Sequence, residues 1–202
     1  LRSIPFVKDS KIPILGINTG RLGFLTSLQK ETLNEALDEF FDEKFKLVER
    51  SLLSVALSGT DHAFSNSFSF ALNEISINRM NTTSMLSIQT KINEEYLTTY
   101  WADGLIIATS TGSTGYSLSS NGPILTPETK GIILNPIAPH NLNIRPLVVP
   151  DEVAINISVD GRGDGYLMSL DSRLFSVENG SSITIKKAAF PVFTVELNGD
   201  NY

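Results

Sequence analysis

Residues 103 to 123 combine a short apolar run with a cluster of Gly, Ser and Thr: Asp103-Gly-Leu-Ile-Ile-Ala-Thr-Ser-Thr-Gly112-Ser113-Thr114-Gly115-Tyr116-Ser117-Leu118-Ser119-Ser120-Asn121-Gly122-Pro123. The pattern reads as a strand running into a loop. Gly112 and Gly115 have no Cβ, so a ligand can come close to the backbone there. The hydroxyls of Thr111, Ser113, Thr114 and Ser119 can bond a phosphate, a ribose or a base edge. Tyr116 offers a flat face on which a ring can stack. No Gly-Lys-Ser/Thr occurs, so this is not a P-loop. On composition alone, an ordinary turn-rich connection explains the segment equally well.

Asn73-Glu74 stands inside another apolar stretch, in which Phe68, Phe70 and Leu72 alternate with small residues and Ile75 and Ile77 continue. If the strand stays regular, one of the two side chains faces the core, and a buried charge needs partners. The pair either holds ribose hydroxyls and a base edge, or is a strand end or bulge with both groups in water. Asn18-Thr19-Gly20-Arg21-Leu22-Gly23-Phe24-Leu25 follows a strand, as a nucleotide-binding turn would. The spacing of Gly16, Gly20 and Gly23 does not match G-x-G-x-x-G, and a tight turn before a helix is the alternative. Asp160-Gly161-Arg162-Gly163-Asp164-Gly165 looks like a calcium loop. It has no distal Glu and sits between two strand patterns, so it reads as a hairpin turn. His140, between Pro139 and Asn141, reads as a loop histidine.

The elements that must position these groups follow from periodicity. Ile12 to Asn18 reads as a buried strand. Leu33, Ala36, Leu37, Phe40 and Phe41 recur at helical spacing, and Thr32 with Glu35 forms a capping box at the helix start. After about Lys46 the pattern turns to short strands: Leu53–Leu57, Leu86–Ile92, Leu105–Ala108, Ile132–Leu134, Leu147–Val149, Val153–Val159, Tyr166–Leu170 and Ile183–Ile185. Many short strands with few helices predict a sandwich or folded-over sheet.

The chain has 202 residues, enough for one large domain or two small ones, and a formal net charge of -6. An acidic balance argues against a general nucleic-acid or membrane binder. A phosphate-bearing ligand can still be met locally, by backbone N–H groups, a few Arg or Lys side chains, or Mg²⁺. There is no Cys and there are only two His, so disulfides, thiolate metal sites and a Cys-His catalytic pair are excluded. An intracellular location fits. No apolar run approaches the roughly 20 residues needed to span a bilayer.

Taken together, these segments resemble the NAD kinase family, part of a wider superfamily that includes diacylglycerol and sphingosine kinases. The matching pieces are Ile14–Leu25, Asn73-Glu74, Asp103-Gly104, Thr109–Pro123 and Pro139–Leu147, in the family's order and at about its spacing. The resemblance implies an α+β fold: a partial N-terminal α/β domain over residues 1–50, a β-rich, sandwich-like domain over 51–188, and a segment over 189–202 that returns to the first. It implies phosphorylation of NAD at the adenosine 2′-hydroxyl by ATP, with Mg²⁺ or another divalent metal carried mainly by the ATP phosphates and no metal site of the protein's own. Asn73 and Glu74 match the family's dinucleotide-contacting pair. Asp103 matches an acidic residue at one base end of NAD, and Thr114, Gly115, Tyr116 and Ser119 match contact positions in the glycine-rich motif. Ala138 and Arg173 match further contacts, and Phe24 falls where the family has an aromatic beside the dinucleotide. The expected partners are NAD and ATP, with no nucleic acid or membrane. The expected protein is a cytoplasmic homodimer or homotetramer whose site lies between domains near a subunit interface.

The family's Gly-Gly-Asp-Gly-Thr motif, with its general-base Asp, falls immediately before the position of Leu1, so the expectation is a stretch of a longer enzyme. Departures occur at Ser110 (usually Pro), Gly115 (often Ala), Trp101 (often Arg or Lys) and Ser120-Asn121. Two other readings remain: a lipid kinase of the same superfamily, or a non-catalytic dinucleotide sensor.

Overall fold

The computed structural model describes residues 1–18, 28–29, 33–58, 64, 67–80 and 84–197. Phe24, His62 and Thr32 lie outside these residues, as does most of the Asn18–Leu25 segment. The chain divides into two compact units, one of Ser3–Arg50 with Phe190–Tyr202 and one of Ser51–Ala189 with Leu1–Arg2.

In the first unit a short helix, α1 (Ile4–Val7), precedes a parallel pair of two-residue strands, β1 (Ile17–Asn18) and β2 (Leu28–Gln29). The strand expected over Ile12–Asn18 is therefore mostly not one. Pro13 removes a ladder donor near its start, and Ile14 makes only an isolated parallel bridge to Thr194. Helix α2 (Leu33–Phe41) forms as its periodicity predicts. Ala36 is buried against Leu28, Val195 and Leu197, with Phe40 packed beside them. Phe41 is 76% exposed. One residue past Phe40 is a further 100° around the helix, which takes it off the buried stripe. Strand β3 (Phe45–Arg50) pairs antiparallel with β16 (Val192–Leu197). Arg50 is buried there, with Nη2 2.7 Å from Glu196 Oε1 and Nε donating to Thr194 Oγ1.

The second unit is two six-stranded antiparallel sheets. One contains β5 (Phe70–Ala71), β4 (Leu53–Ser58), β15 (Ser182–Lys187), β12 (Ile155–Asp160), β7 (Leu86–Ile92) and β8 (Glu95–Ala102), in that order. The other contains β11 (Leu147–Pro150), β10 (Gly131–Ile137), β9 (Gly104–Thr109), β6 (Glu74–Arg79), β13 (Gly165–Leu170) and β14 (Arg173–Glu178). Alternate residues of both sheets meet in one core: Val55, Ile88, Ile157 and Ile185 from the first, Ile75, Ile77, Ile107 and Leu134 from the second. This is the sandwich that the strand patterns predict.

β9 departs from simple alternation, since all six of its residues are buried. Leu105 and Ile107 face the sandwich core. Ile106 and Ala108 join Ile133 in a second cluster, capped by Leu125 and Ile137. The connection from Ser110 to Leu125 thus covers the outer face of this sheet, and that explains the unbroken apolar run Leu105–Ala108.

The turn expected at Asp160–Gly165 is not a hairpin. β12 pairs with β7 and β15, whereas β13 pairs with β6 and β14, so residues 161–164 carry the chain from one sheet to the other. Asn179 Nδ2 donates to the carbonyls of Gly161 and Gly163 and holds the crossing. Turn chemistry is the same in both cases; only pairing of the flanking strands separates them.

Candidate functional site

β6 and β9 are neighbours, and Glu74 lies directly opposite Ala108. Ile75 and Ile77 take the core face, so alternation sends Glu74 and Ser76 to the outer face, beneath the Ser110–Leu125 connection. Asn73-Glu74 is a strand start, but not a solvated one: Glu74 is only 9% exposed.

That connection is fastened at several points. Thr109 Oγ1 donates to Leu72 O at 2.6 Å and accepts from Gly112 N–H. A Cβ at Gly112 would fall on the Asn73 carbonyl, so only glycine lets the 3-10 turn Thr111–Thr114 approach β6 so closely. Ser113 Oγ both donates to Leu125 O and accepts from Leu125 N–H. Ser110 Oγ donates to Thr129 O. Asn135, fully buried on β10, donates through Nδ2 to the carbonyls of Ser117 and Ser120 and so anchors the one-turn helix α3 (Tyr116–Ser119).

This fastening places backbone over the two side chains. A Cβ on Gly115 would stand 3.1 Å from Glu74 Oε2 and 3.5 Å from Asn73 Nδ2. Among the described residues, Asn73 Oδ1 and Glu74 Oε2 are buried with no hydrogen-bond partner. Burial, and secondarily the like charge of Asp171, push the Glu74 carboxyl up to about 7, against the opposing pull of the Tyr116 backbone N–H. Along the same outer face, Asn78 Nδ2 donates to Ser76 Oγ, and Ser76 Oγ and Ser169 Oγ are hydrogen-bonded at 2.7 Å, either hydroxyl being able to donate. A polar strip therefore leads away from Glu74 along β6.

Five of the expected residues cluster with Glu74. Asn73 adjoins it, Thr114 and Gly115 are half-buried above, Tyr116 is 41% exposed, and Ser119 is exposed on α3. Asp103 and Ala138 stand elsewhere. Asp103 precedes Gly104 at the opposite end of β9, roughly 17 Å along a six-residue strand. It pairs with Arg79 at 2.8 Å. Ala138, in the left-handed region at φ 43°, follows Ile137, the partner of Gly104. One chain therefore does not bring the Asp103 carboxylate to a ring covered by Tyr116. Arg173 donates to the carbonyls of Phe68 and Phe70 and lies over the Phe68 ring. His140 is exposed in a loop, its N–H donating to Trp101 O.

Sequence reasoning passed over Asp171, Thr109 and Asn135. A partial signal for Asp171 was present: an Asp directly after the strand pattern Tyr166–Leu170, of a type that tolerates positive φ, which here is 53°.

The ATP-NAD kinase C-terminal domain family matches residues 72–197, and the ATP-NAD kinase N-terminal domain family matches residues 1–45. The chain is 50% identical to the NAD kinase of Christiangramia forsetii, over 100% of this chain and 68% of that protein. It is 43% identical to the NAD kinase of Porphyromonas gingivalis, again over 100% and 68%. Among solved structures, yeast NADH kinase complexed with NADH aligns with a TM-score of 0.86 at 27% identity, over 99% of this chain and 59% of that one. An NAD kinase from Archaeoglobus fulgidus in complex with ATP aligns with a TM-score of 0.78 at 30% identity, over 92% and 69%. The chain belongs to the NAD kinase family, whose members transfer a phosphoryl group from ATP to NAD.

Proposed function

We propose that this chain holds NAD through Asn73, Glu74 and the Thr114–Ser119 connection, so that the adenosine 2′-hydroxyl can be phosphorylated by ATP. The observation that carries this is the pair of buried, unpartnered acceptors, Asn73 Oδ1 and Glu74 Oε2, under the backbone of Gly115. Buried acceptors are almost always satisfied. Two adjacent exceptions beneath a fastened loop match a ligand that brings its own donors, such as ribose hydroxyls or an exocyclic amine. Tyr116, partly exposed at the loop's centre, supplies the ring face.

Phosphoryl transfer depends on positioning and charge neutralisation more than on covalent help from the protein. In this reading Glu74 accepts from a ribose hydroxyl, Asn73 fixes the ring or base beside it, and the connection closes over both. Among the described residues no group of three His, Asp or Glu could hold a metal ion. A divalent metal such as Mg²⁺ belongs, in this reading, to the ATP phosphates, whose oxygens suit its coordination. By the family resemblance, proton removal from the 2′-hydroxyl falls to the Asp of the Gly-Gly-Asp-Gly-Thr motif.

The resemblance also assigns Asp103 and Ala138 to the dinucleotide. Their place at the far end of β9 and β10 supports a homo-oligomer, in which a second copy brings that end to the Glu74 cluster. The proposal includes a cytoplasmic, membrane-free protein. Among the described residues no helix is long and apolar enough to cross a membrane.

NAD titration calorimetry on the native enzyme tests the site. Asn73→Ala and Glu74→Ala should each weaken binding about ten- to a hundredfold, the size of a lost charge-assisted hydrogen bond, with the melting temperature little changed. Unaltered affinity in both variants would remove the pair from the site.

A further inference from the structure

The turn that presents Asn73 and Glu74 is held by two residues. Thr109 takes its carbonyls: Thr109 Oγ1 donates to Leu72 O, and Thr109 N–H to Asn73 O at 2.9 Å. Asp171 takes its amides. Asp171 Oδ2 accepts from Leu72 N–H at 3.0 Å, and Asp171 Oδ1 accepts from Asn73 N–H at 2.8 Å and from Glu74 N–H at 3.3 Å. Asp171 N–H then donates to Glu74 O at 2.9 Å. All six backbone polar groups of residues 72–74 are thereby satisfied, and the side-chain atoms Asn73 Oδ1 and Glu74 Oε2 stay unpartnered.

Asp171 reaches this position at a cost. Its backbone sits at φ 53°, a left-handed region that few side-chain-bearing residues other than Asn, Asp and His occupy. Its negative charge lies close enough to Glu74 to oppose ionisation of that carboxyl. A neutral acceptor, or a rearranged turn, would close β5 to β6 without placing two carboxylates together. The arrangement makes sense if what matters is where Asn73 and Glu74 point.

We propose that Asp171 is a positioning residue of the dinucleotide site, acting through the Leu72–Glu74 turn to aim the Asn73 and Glu74 side chains at the ligand. This rests on the reading of that pair as the NAD contact. The carboxylate has a second consequence. The charged side chains facing this turn are Glu74 on β6, Asp171 from the β13–β14 turn, and Arg173 at the start of β14. Arg173 is bonded to the carbonyls of Phe68 and Phe70, and its positive charge also acts on Asp171 and offsets part of that carboxylate's field. Asp171 still adds to burial in holding Glu74 protonated up to about pH 7, and removing its charge lets Glu74 ionise at lower pH.

The test uses Asp171→Asn in the native enzyme, with NADP formation followed across pH. The amide keeps one acceptor for Asn73 and Glu74 but puts a donor against Leu72 N–H and removes the charge. The expected result is a KM for NAD raised about tenfold, with kcat changed much less. The pH dependence of kcat/KM should also shift to the acid side of the wild-type inflection. A fall in melting temperature alone, with KM and pH profile unchanged, would mean a merely structural residue and overturn the proposal. If Asp171→Asn does not fold, Asp171→Glu carries the same measurement. It keeps the charge but displaces the acceptors by one methylene, so KM should rise while the inflection stays, and an unchanged KM overturns the proposal. Glu74→Gln, run in parallel, separates the two levels. If it too binds NAD like wild type, the underlying site reading fails. If it loses binding while both Asp171 variants keep it, the Asp171 inference alone fails.

Discussion

The sheet that carries β6 and β9 ends in two polar clusters with different accounts of their charges. At the Gly104 end, Arg79 and Asp103 stand 2.8 Å apart, each 29% exposed, and each has its counter-charge. At the Thr109 end, Glu74 is nearly buried, its neighbouring charge has the same sign, and one of its oxygens has no partner. The first cluster is complete as it stands and would cost little to leave alone. The second is unfavourable in isolation, because a buried carboxyl with one oxygen lacking a donor keeps much of its desolvation cost. A fold keeps such a group where something else supplies the donors. Asp103 was singled out by the family resemblance and Asn73-Glu74 also by residue type, but only the second cluster is poised to take a ligand from within one chain.

Gly112→Ala should break the contrast most completely. A Cβ at this position overlaps the Asn73 carbonyl, which is backbone and cannot swing aside. Overpacking of this kind costs about 1–3 kcal/mol, or more where nothing gives. Because the displaced atom belongs to the ligand-presenting turn, NAD binding should fall below detection even in protein that remains folded. Circular dichroism melting with NAD calorimetry checks this, and normal affinity would show that the connection need not lie against β6.

A mixing experiment sharpens the comparison. If Asp103 acts on a dinucleotide held by Glu74 of another copy, Glu74→Gln and Asp103→Asn are defects in different halves of one site. Co-expressed in equal amounts and assayed at an NAD concentration too low for either variant alone, the two should regain about a quarter of wild-type NADP formation, as half the dimers would be mixed and each would have one intact site. Activity no higher than that of either variant alone would confine Asp103 to its pair with Arg79.

The smallest effect is on stability against pH. The Glu74 carboxyl is raised from 4.5 to about 7 in the folded protein. Between those values the folded state binds more protons than the unfolded one, so stability falls as pH rises. Glu74→Gln removes this loss. The melting temperature of Glu74→Gln relative to wild type should rise from about pH 4.5 to about pH 7 and then level off, by at most about 3 kcal/mol in free energy. A difference that does not vary with pH would place Glu74 in a more solvated setting.

Much of the fold was legible because it follows from period. β7 occupies the residues its alternation predicts, and β4, β9, β10, β12, β13 and β15 lie within a few residues of theirs. Strands β8 and β14 escaped notice because they are sheet edges. Their side chains meet water on much of their surface, so polar residues such as Thr98 or Ser176 carry no penalty and dilute the apolar signal. β3 and β16 escaped for a related reason, with the charges of Lys46 and Arg50 met only across the strand pair, by Glu196.

The site divides the same way. Local chemistry along the chain determined which residues could serve: a glycine-rich connection that permits backbone approach, an amide and carboxylate in an apolar run, a ring at the connection's centre. None of that states which of them meet. Gly112 must be glycine because the Asn73 carbonyl is there, and Glu74 is half-starved of donors because the connection shuts out water. Asp171, distant in the chain, takes the amides of the same turn. These are contacts across tens of residues, governed by strand order and register. Asp103 shows the limit most clearly, since its place beside the same connection in sequence becomes the opposite end of β9 in space. Residue types and local periods are written in one dimension, whereas desolvation and the count of donors against acceptors are settled only when distant segments pack.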